Sequence, residues 1–246
     1  MGDIGEFWRQ TIEKISSLPV STDPYAHIST YDTVPAPLYD QMTTNLPETE
    51  AYVFPCDYKQ VSFGCEDPRC VIDFDSGVGV KNFSVDQRAF WDELTSKENS
   101  MLLTNCLIEK FKPYLDFSAV AGSADKKISL LPKWMLARSL PGFELPPHED
   151  INQKLVAALF YLPTEERETG YGTIMLRPKG TEIREHPTNG ERYHPDDFED
   201  AGGMEFRRNG FFAFARTPYS FHRVGRLPEN TPKRDVLMFN IMFAGL

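Results

Sequence analysis

Apolar positions recur at helical spacing in three stretches of the first 120 residues and come in short separate runs beyond Gly122. Asp3 and Glu6 stand at capping-box spacing, and Trp8, Ile12 and Ile15 follow at i, i+4 and i+7, predicting an amphipathic helix that ends before Pro19. Residues 19–60 carry many Pro, Thr and Tyr with weak periodicity and read as an irregular segment. "FSVDQRAFWDEL" opens a second helix, capped by Ser84 with Gln87 three residues on. Leu103, Leu107 and Phe111 mark one face of a third, stopped at Pro113. After Gly122 come "ISLL", "WMLARSL", "LVAALFYL", "GTIMLRP", "GFFAFA", "SFHRV" and "DVLMFNIMF", whose lengths suit strands. "LVAALFYL" would also suit a helix. No fixed-period repeat links these runs, so a solenoid or propeller is not expected. Helices followed by strands predict an antiparallel barrel or sandwich with helices packed on one side. The expected organisation is a single unit over residues 1–246, with residues 1–120 helical and irregular support and residues 121–246 the β core.

Composition narrows the function classes. At 41% hydrophobic and 13% aromatic residues, the 246-residue chain can build a large core. Its net charge of -10 argues against a nucleic-acid partner, which needs a positive field. No apolar run approaches the length of a bilayer span, and Asp3 and Glu6 precede the first apolar stretch, so neither a membrane anchor nor a secretory signal is expected. Cys56, Cys65, Cys70 and Cys106 show no second closely spaced pair to complete a zinc site. They are read as reduced thiols in a cytoplasmic protein; the oligomeric state is left open.

Candidate chemistry begins at "LPPHED". In an extended strand, alternation puts His148 and Asp150 on one face and Glu149 on the other. A metal bound here would use the first two and leave Glu149 aside, and would need a third ligand from elsewhere. The other histidines are His27, His186, His194 and His222. His222 lies in the apolar run "SFHRV", where a hydrogen-bonded core histidine is the commoner outcome. His194 and Asp196 repeat the His-x-Asp pattern within "REHPTNGERYHPDDFED", a polar stretch that reads as a long loop. Two histidines and a carboxylate with open positions suit non-haem Fe(II) and oxygen chemistry; zinc is the competing metal.

The segments "ARSLPGFELPPHED", "LVAALFYLP", "TGYGTIMLRP", "GFFAFARTPYSFHRV" and "KRDVLMFNIMF", within residues 128–243, run in the order seen in the Fe(II)- and 2-oxoglutarate-dependent dioxygenases. The chain resembles their prolyl-hydroxylase-like branch. The resemblance implies a double-stranded β-helix (jelly-roll, cupin-like) core with supporting helices, and implies His148, Asp150 and His222 as iron ligands. It implies Arg234 as the partner of the distal 2-oxoglutarate carboxylate, a role that suits a guanidinium fork. Arg223 and Arg226 fit that role less well. Tyr161 matches a tyrosine that touches the same carboxylate in some relatives, with a core aromatic the equal alternative; Thr173 is read as structural. Arg138 and Arg177 flank the expected mouth and read chiefly as solvated strand charges. Residues 178–209 are either a lid carrying Arg184, Arg192, Arg207 and Arg208 or a solvated insertion.

The implied cofactors are Fe(II), 2-oxoglutarate and O2. The implied activity is oxidation of an unactivated C–H bond by hydroxylation, with desaturation or ring closure left open. A small amino-acid-like or natural-product metabolite is the expected substrate. A prolyl-type peptidyl hydroxylase is the enzymatic alternative, ahead of nucleic-acid demethylation. A non-catalytic jelly-roll binding module is the alternative of another class.

Overall fold

A computed structural model of the chain describes residues 3–54, 68–115, 129–164, 171–180, 192–230 and 233–244. The first helix is α1 (Ile4–Ser17), whose cap Asp3 accepts from the backbone N–H of Gly5 and Glu6. The chain then forms β1 (His27–Thr30), α2 (Ala36–Thr44), β2 (Arg69–Asp73), α3 (Val85–Leu94) and α4 (Lys97–Phe111). Ser84 and Gln87 close the expected capping box of α3. The rest is strand: β3 (Ser129–Ser139), β4 (Leu145–His148), β5 (Lys154–Tyr161), β6 (Thr173–Pro178), β7 (Phe198–Met204), β8 (Phe211–Ala215), β9 (His222–Val224) and β10 (Arg234–Ala244).

Two antiparallel sheets result, a major one in the order β1-β8-β5-β10-β3-β2 and a minor one in the order β4-β9-β6-β7. Strands far apart in sequence alternate between them, which is the jelly-roll arrangement expected. The major sheet is covered on both faces. Outward residues Trp134 and Phe160 meet Trp8 of α1, with ring centroids 5.9 Å and 5.8 Å from it, and Trp134 also packs on Phe239 at 4.5 Å. Each such large side chain contributes about 1.5–3 kcal/mol on burial. The indole N–H groups are satisfied by Asn99 O and Ser100 Oγ, so neither tryptophan strands a donor in the core. Inward residues Met135, Ala137, Ala157, Leu159, Val236 and Met238 face a cavity between the sheets.

Several expectations change. Residues 19–60 are not uniformly irregular: β1 pairs with β8, and α2 buries Leu38, Tyr39 and Met42 behind Pro35. A strand also precedes Gly122, because β2 adds to the edge of β3. "ISLL" and "WMLARSL" are one strand that runs through Pro132. β2 covers only Met135–Ser139 of β3, so Pro132 lies where β3 is an edge and its missing N–H breaks no ladder bond on that side. "LVAALFYL" is the strand β5, apolar throughout because both its faces are buried. The expected loop contains β7, which holds Asp200, Gly202 and Gly203 against β6. Gly203 is required there: at φ +150°, an added Cβ would stand 2.3 Å from Thr173 O. Among the described residues no helix is long and apolar enough to cross a membrane. Cys70 and Cys106 are free thiols, whereas Cys56 and Cys65 lie outside the described residues.

Candidate metal centre

β4 and β9 are paired so that His148 stands directly opposite His222. Their ring centroids are 4.1 Å apart. β4 ends at His148, so Asp150 reaches the site from the turn beyond it and not by strand alternation. The two routes give the same neighbours: one ligand atom from each of His148, Asp150 and His222 lies within 4.8 Å of the others. Such a triad forms one face of a coordination sphere and leaves further positions open.

Three observations test whether these residues fit a metal. His148 Nδ1 donates to Pro146 O at 3.0 Å, and His222 Nδ1 donates to Ser220 O at 2.9 Å. A carbonyl can only accept, so each ring carries its proton on Nδ1 and presents an unprotonated Nε2. Asp150 Oδ1 accepts from Lys154 Nζ at 2.8 Å, while Asp150 Oδ2 is buried without a hydrogen-bond partner. A buried carboxylate oxygen without a partner is costly unless a cation meets it. The donor set therefore fits a divalent transition metal, with two imidazoles and one carboxylate oxygen as ligands.

Electrostatics keeps all three groups in the ligating state. Burial pushes His148 down to about 3, and the neighbouring His222 adds to the shift. Burial likewise lowers His222. For Asp150 burial works the other way, yet Lys154 and then the two histidines outweigh it and hold the carboxyl well below its usual range. At neutral pH the site holds two neutral imidazoles and one carboxylate.

The triad lines a cavity of about 400 Å³, within the usual size for small-ligand sites. Arg234 lines it too, with its Nε donating to Tyr171 O at 2.7 Å and its guanidinium over the rings of Tyr161 (5.5 Å) and Phe206 (5.3 Å). Burial lowers the Arg234 pKa. Tyr161 is fully buried; its hydroxyl donates to Thr173 Oγ1 at 2.7 Å and accepts from Thr173 N at 2.9 Å. It stands behind Arg234 and steadies both that residue and β6.

The other candidates separate clearly. His194 is 70% exposed and its Nδ1 accepts from Asp196 N, so it caps a short turn. His27 is buried, with Nδ1 on Tyr25 O. His186 and Arg184 lie outside the described residues. Arg138 is fully buried, not solvated: it is bonded twice to Asp235 and lies over the Tyr52 ring, on the face away from the cavity. Arg177 is exposed and bridges Asp23 and Glu199. Arg223 pairs with Asp200, Arg207 with Glu205, and Arg208 with Asp40. Of the arginines expected in a lid, Arg192 lines the cavity.

Sequence reading set Glu149 aside and passed over Lys154, Arg216 and Tyr25. Glu149 is buried and pairs with Arg216 at 3.3 Å; Arg216 also bonds Asp150 O and Asn152 Oδ1. That network fixes the turn carrying Asp150. The Tyr25 hydroxyl is buried, lacks a hydrogen-bond partner and lies within electrostatic reach of Asp150. Only Lys154, four residues after Asp150, was detectable as a charge at short spacing.

No protein-family model and no curated protein matches this sequence. Among solved structures, the fold is similar to those of a prolyl-4-hydroxylase and of two proteins described with alpha-ketoglutarate or 2-oxoglutarate. A Pseudomonas putida prolyl-4-hydroxylase aligns with TM-score 0.55 at 12% identity, over 97% of this chain and 100% of that one. SnoN, a non-haem alpha-ketoglutarate-dependent epimerase from nogalamycin biosynthesis, aligns with TM-score 0.51 at 11% identity, over 98% and 84%. HygX from Streptomyces hygroscopicus, with nickel and 2-oxoglutarate bound, aligns with TM-score 0.50 at 11% identity, over 88% and 82%. At these identities the likeness establishes fold.

Proposed function

We propose that this chain is an Fe(II)- and 2-oxoglutarate-dependent oxygenase acting on an unactivated C–H bond of a small amino-acid-like or natural-product metabolite. The observation that carries this reading is the convergence of His148, Asp150 and His222 on the wall of a cavity that also contains Arg234. In this reading His148 Nε2, His222 Nε2 and Asp150 Oδ2 hold Fe(II), and Arg234 holds the distal carboxylate of 2-oxoglutarate. Bound together, the metal and 2-oxoglutarate supply the oxidising chemistry, consuming O2 and releasing succinate and CO2 as the substrate C–H bond is oxidised.

The chain's own contribution is geometry and exclusion of water. The carbonyls of Pro146 and Ser220 hold the two imidazole rings by their Nδ1 protons. Lys154 holds Asp150 Oδ1, which turns Oδ2 toward the metal position. Met135, Leu159, Phe214 and Met238 form apolar walls that keep bulk water from the reacting centre. A cavity of about 400 Å³ suits a metabolite better than a folded protein surface. Helices α1, α3 and α4 support the core from outside, and the chain works as a single catalytic unit.

Succinate release tests the proposal. The iron-loaded protein is screened with 2-oxoglutarate against pools of small metabolites and pools of proline-containing peptides. Stimulation by a metabolite pool is expected. Stimulation by peptides alone would move the assignment to a peptidyl hydroxylase, and no 2-oxoglutarate turnover under any condition would contradict oxygenase activity.

A further inference from the structure

The polar side chains that line the cavity have partners within the protein, such as Lys154 on Asp150 and Glu149 on Arg216, with one exception among the described residues. The exception is Asn240 of β10, whose side-chain amide has no hydrogen bond among them. Register fixes where that amide stands. Asn240 is opposite Lys133 of β3 and Ala157 of β5, and Ala157 is opposite Phe214 of β8. Residues directly opposite in an antiparallel pair share a face, so these four form one row across the sheet. Its face is the inner one, because Asn240, Ala157 and Phe214 all line the cavity. Phe214 packs on the candidate ligand His222 with ring centroids 4.8 Å apart. Asn240 is two strand spacings, about 10 Å, from Phe214, with only the methyl group of Ala157 between them. Arg234 begins the same strand about 20 Å away at the strand rise, so Asn240 belongs to another part of the cavity.

The Asn240 end is the open one. Lys154 pairs with Met242 just beyond Asn240, and Lys154 N donates to the carbonyl of Ile151, an exposed residue that also lines the cavity. Lys133 is exposed as well and forms no ion pair among the described residues. Asp75 lies within its electrostatic reach, but its Oδ2 accepts from Trp134 N. An amide by itself can donate or accept; an ammonium directly opposite decides between the two. Asn240 Nδ2 and Lys133 Nζ both donate, and the group that answers two donors, one of them charged, is an anion. The next row inward is apolar, with Met238 opposite Met135.

We infer that Asn240 and Lys133 anchor the carboxylate of the substrate at the cavity mouth, while its apolar part runs over Met238 and Ala157 toward the metal centre. The inference rests on the proposed function and deepens it by naming the substrate class. The substrate is a small free carboxylic acid, amino acids included, and not a neutral metabolite.

Proton relaxation of small probes by Mn(II) bound in the protein, with saturating 2-oxoglutarate present, tests this. The probes are the common L-amino acids and the straight-chain carboxylates from butanoate to octanoate, each beside its carboxamide. At least one carboxylate is expected to be relaxed by the bound metal where its carboxamide is not. Asn240→Leu weakens that probe about tenfold, the loss of a hydrogen bond to a charged group, and Lys133→Met a few-fold, as suits an exposed charge. Asn240→Asp reverses the preference, excluding the carboxylate and admitting its carboxamide. Calorimetric binding of Mn(II) and 2-oxoglutarate stays near wild type in the three variants, which also shows that they fold. A panel in which no carboxylate is relaxed, or in which carboxylates and carboxamides are relaxed alike, overturns the anchor. So does a preferred carboxylate whose affinity is unchanged in both Asn240→Leu and Lys133→Met. A wild-type protein that binds Mn(II) but not 2-oxoglutarate contradicts the functional reading itself, a separate failure that takes the anchor with it.

Discussion

The chain spells His-x-Asp twice, and the two copies have opposite fates. At His148 and Asp150 the histidine is paired in register with His222, its Nδ1 donates to a carbonyl, and the carboxylate has one oxygen on Lys154 and one buried without a partner. At His194 and Asp196 the side chains are 70% and 87% exposed, and His194 Nδ1 accepts a backbone N–H. One ring therefore offers Nε2 to the interior, while the other spends its Nδ1 lone pair closing a surface turn. The difference comes from the strands around each copy. A third candidate ligand, a ring held by its far nitrogen and a desolvated carboxylate are what a metal site needs, and the tripeptide alone supplies none of them.

The largest expected effect breaks the first copy only. Asp150→Ala abolishes substrate-coupled 2-oxoglutarate turnover, whereas Asp196→Ala leaves it within about twofold, since surface substitutions away from a site are usually near neutral. Turnover measured side by side on the two variants checks this.

Lys154→Met is next. With Asp150 Oδ1 no longer held, metal affinity falls about 10–100-fold, the usual effect of removing a group that orients a ligand, and Lys154→Arg restores part of it. Competition with a fluorescent chelator measures the affinity.

A smaller effect is the pH dependence of the metal-free protein. His148 is held at about 3 against an ordinary 6.5, so between those values the unfolded chain takes up a proton that the folded chain does not. Stability is therefore expected to fall as pH drops below about 6.5, and less steeply in His148→Gln. Asp150 is shifted below its ordinary 3.8, and its contribution is complete above that value and lost only at lower pH. Urea unfolding at pH 7, 6 and 5 isolates the histidines, because the Asp150 window lies below that range.

How much of this was legible in the sequence follows from how local each feature is. Helices α1, α3 and α4 were readable from apolar spacing and caps, and most strands after Gly122 from short apolar runs. β2, β7 and α2 escaped because their order depends on partners: β2 leans on β3, β7 carries acids and glycines on an outer strand, and α2 follows a proline with a short apolar face. The sequence named His148, Asp150 and His222 as candidates and the structure brings them together, although Asp150 arrives through a turn and not along a strand. Glu149 stays out of the ligand cluster, but its role in fixing the turn was not readable because its partner, Arg216, lies far along the chain.

The central claim is that the first His-x-Asp copy and His222 hold the iron to which 2-oxoglutarate binds. Anaerobic titration of the protein with Fe(II) and 2-oxoglutarate, followed by visible absorption, tests it most directly. The account predicts a metal-to-ligand charge-transfer band that saturates at one iron per chain, is lost in His222→Ala and persists in His194→Ala. A wild-type protein with no such band, or a His222→Ala variant that keeps it undiminished, would contradict the account.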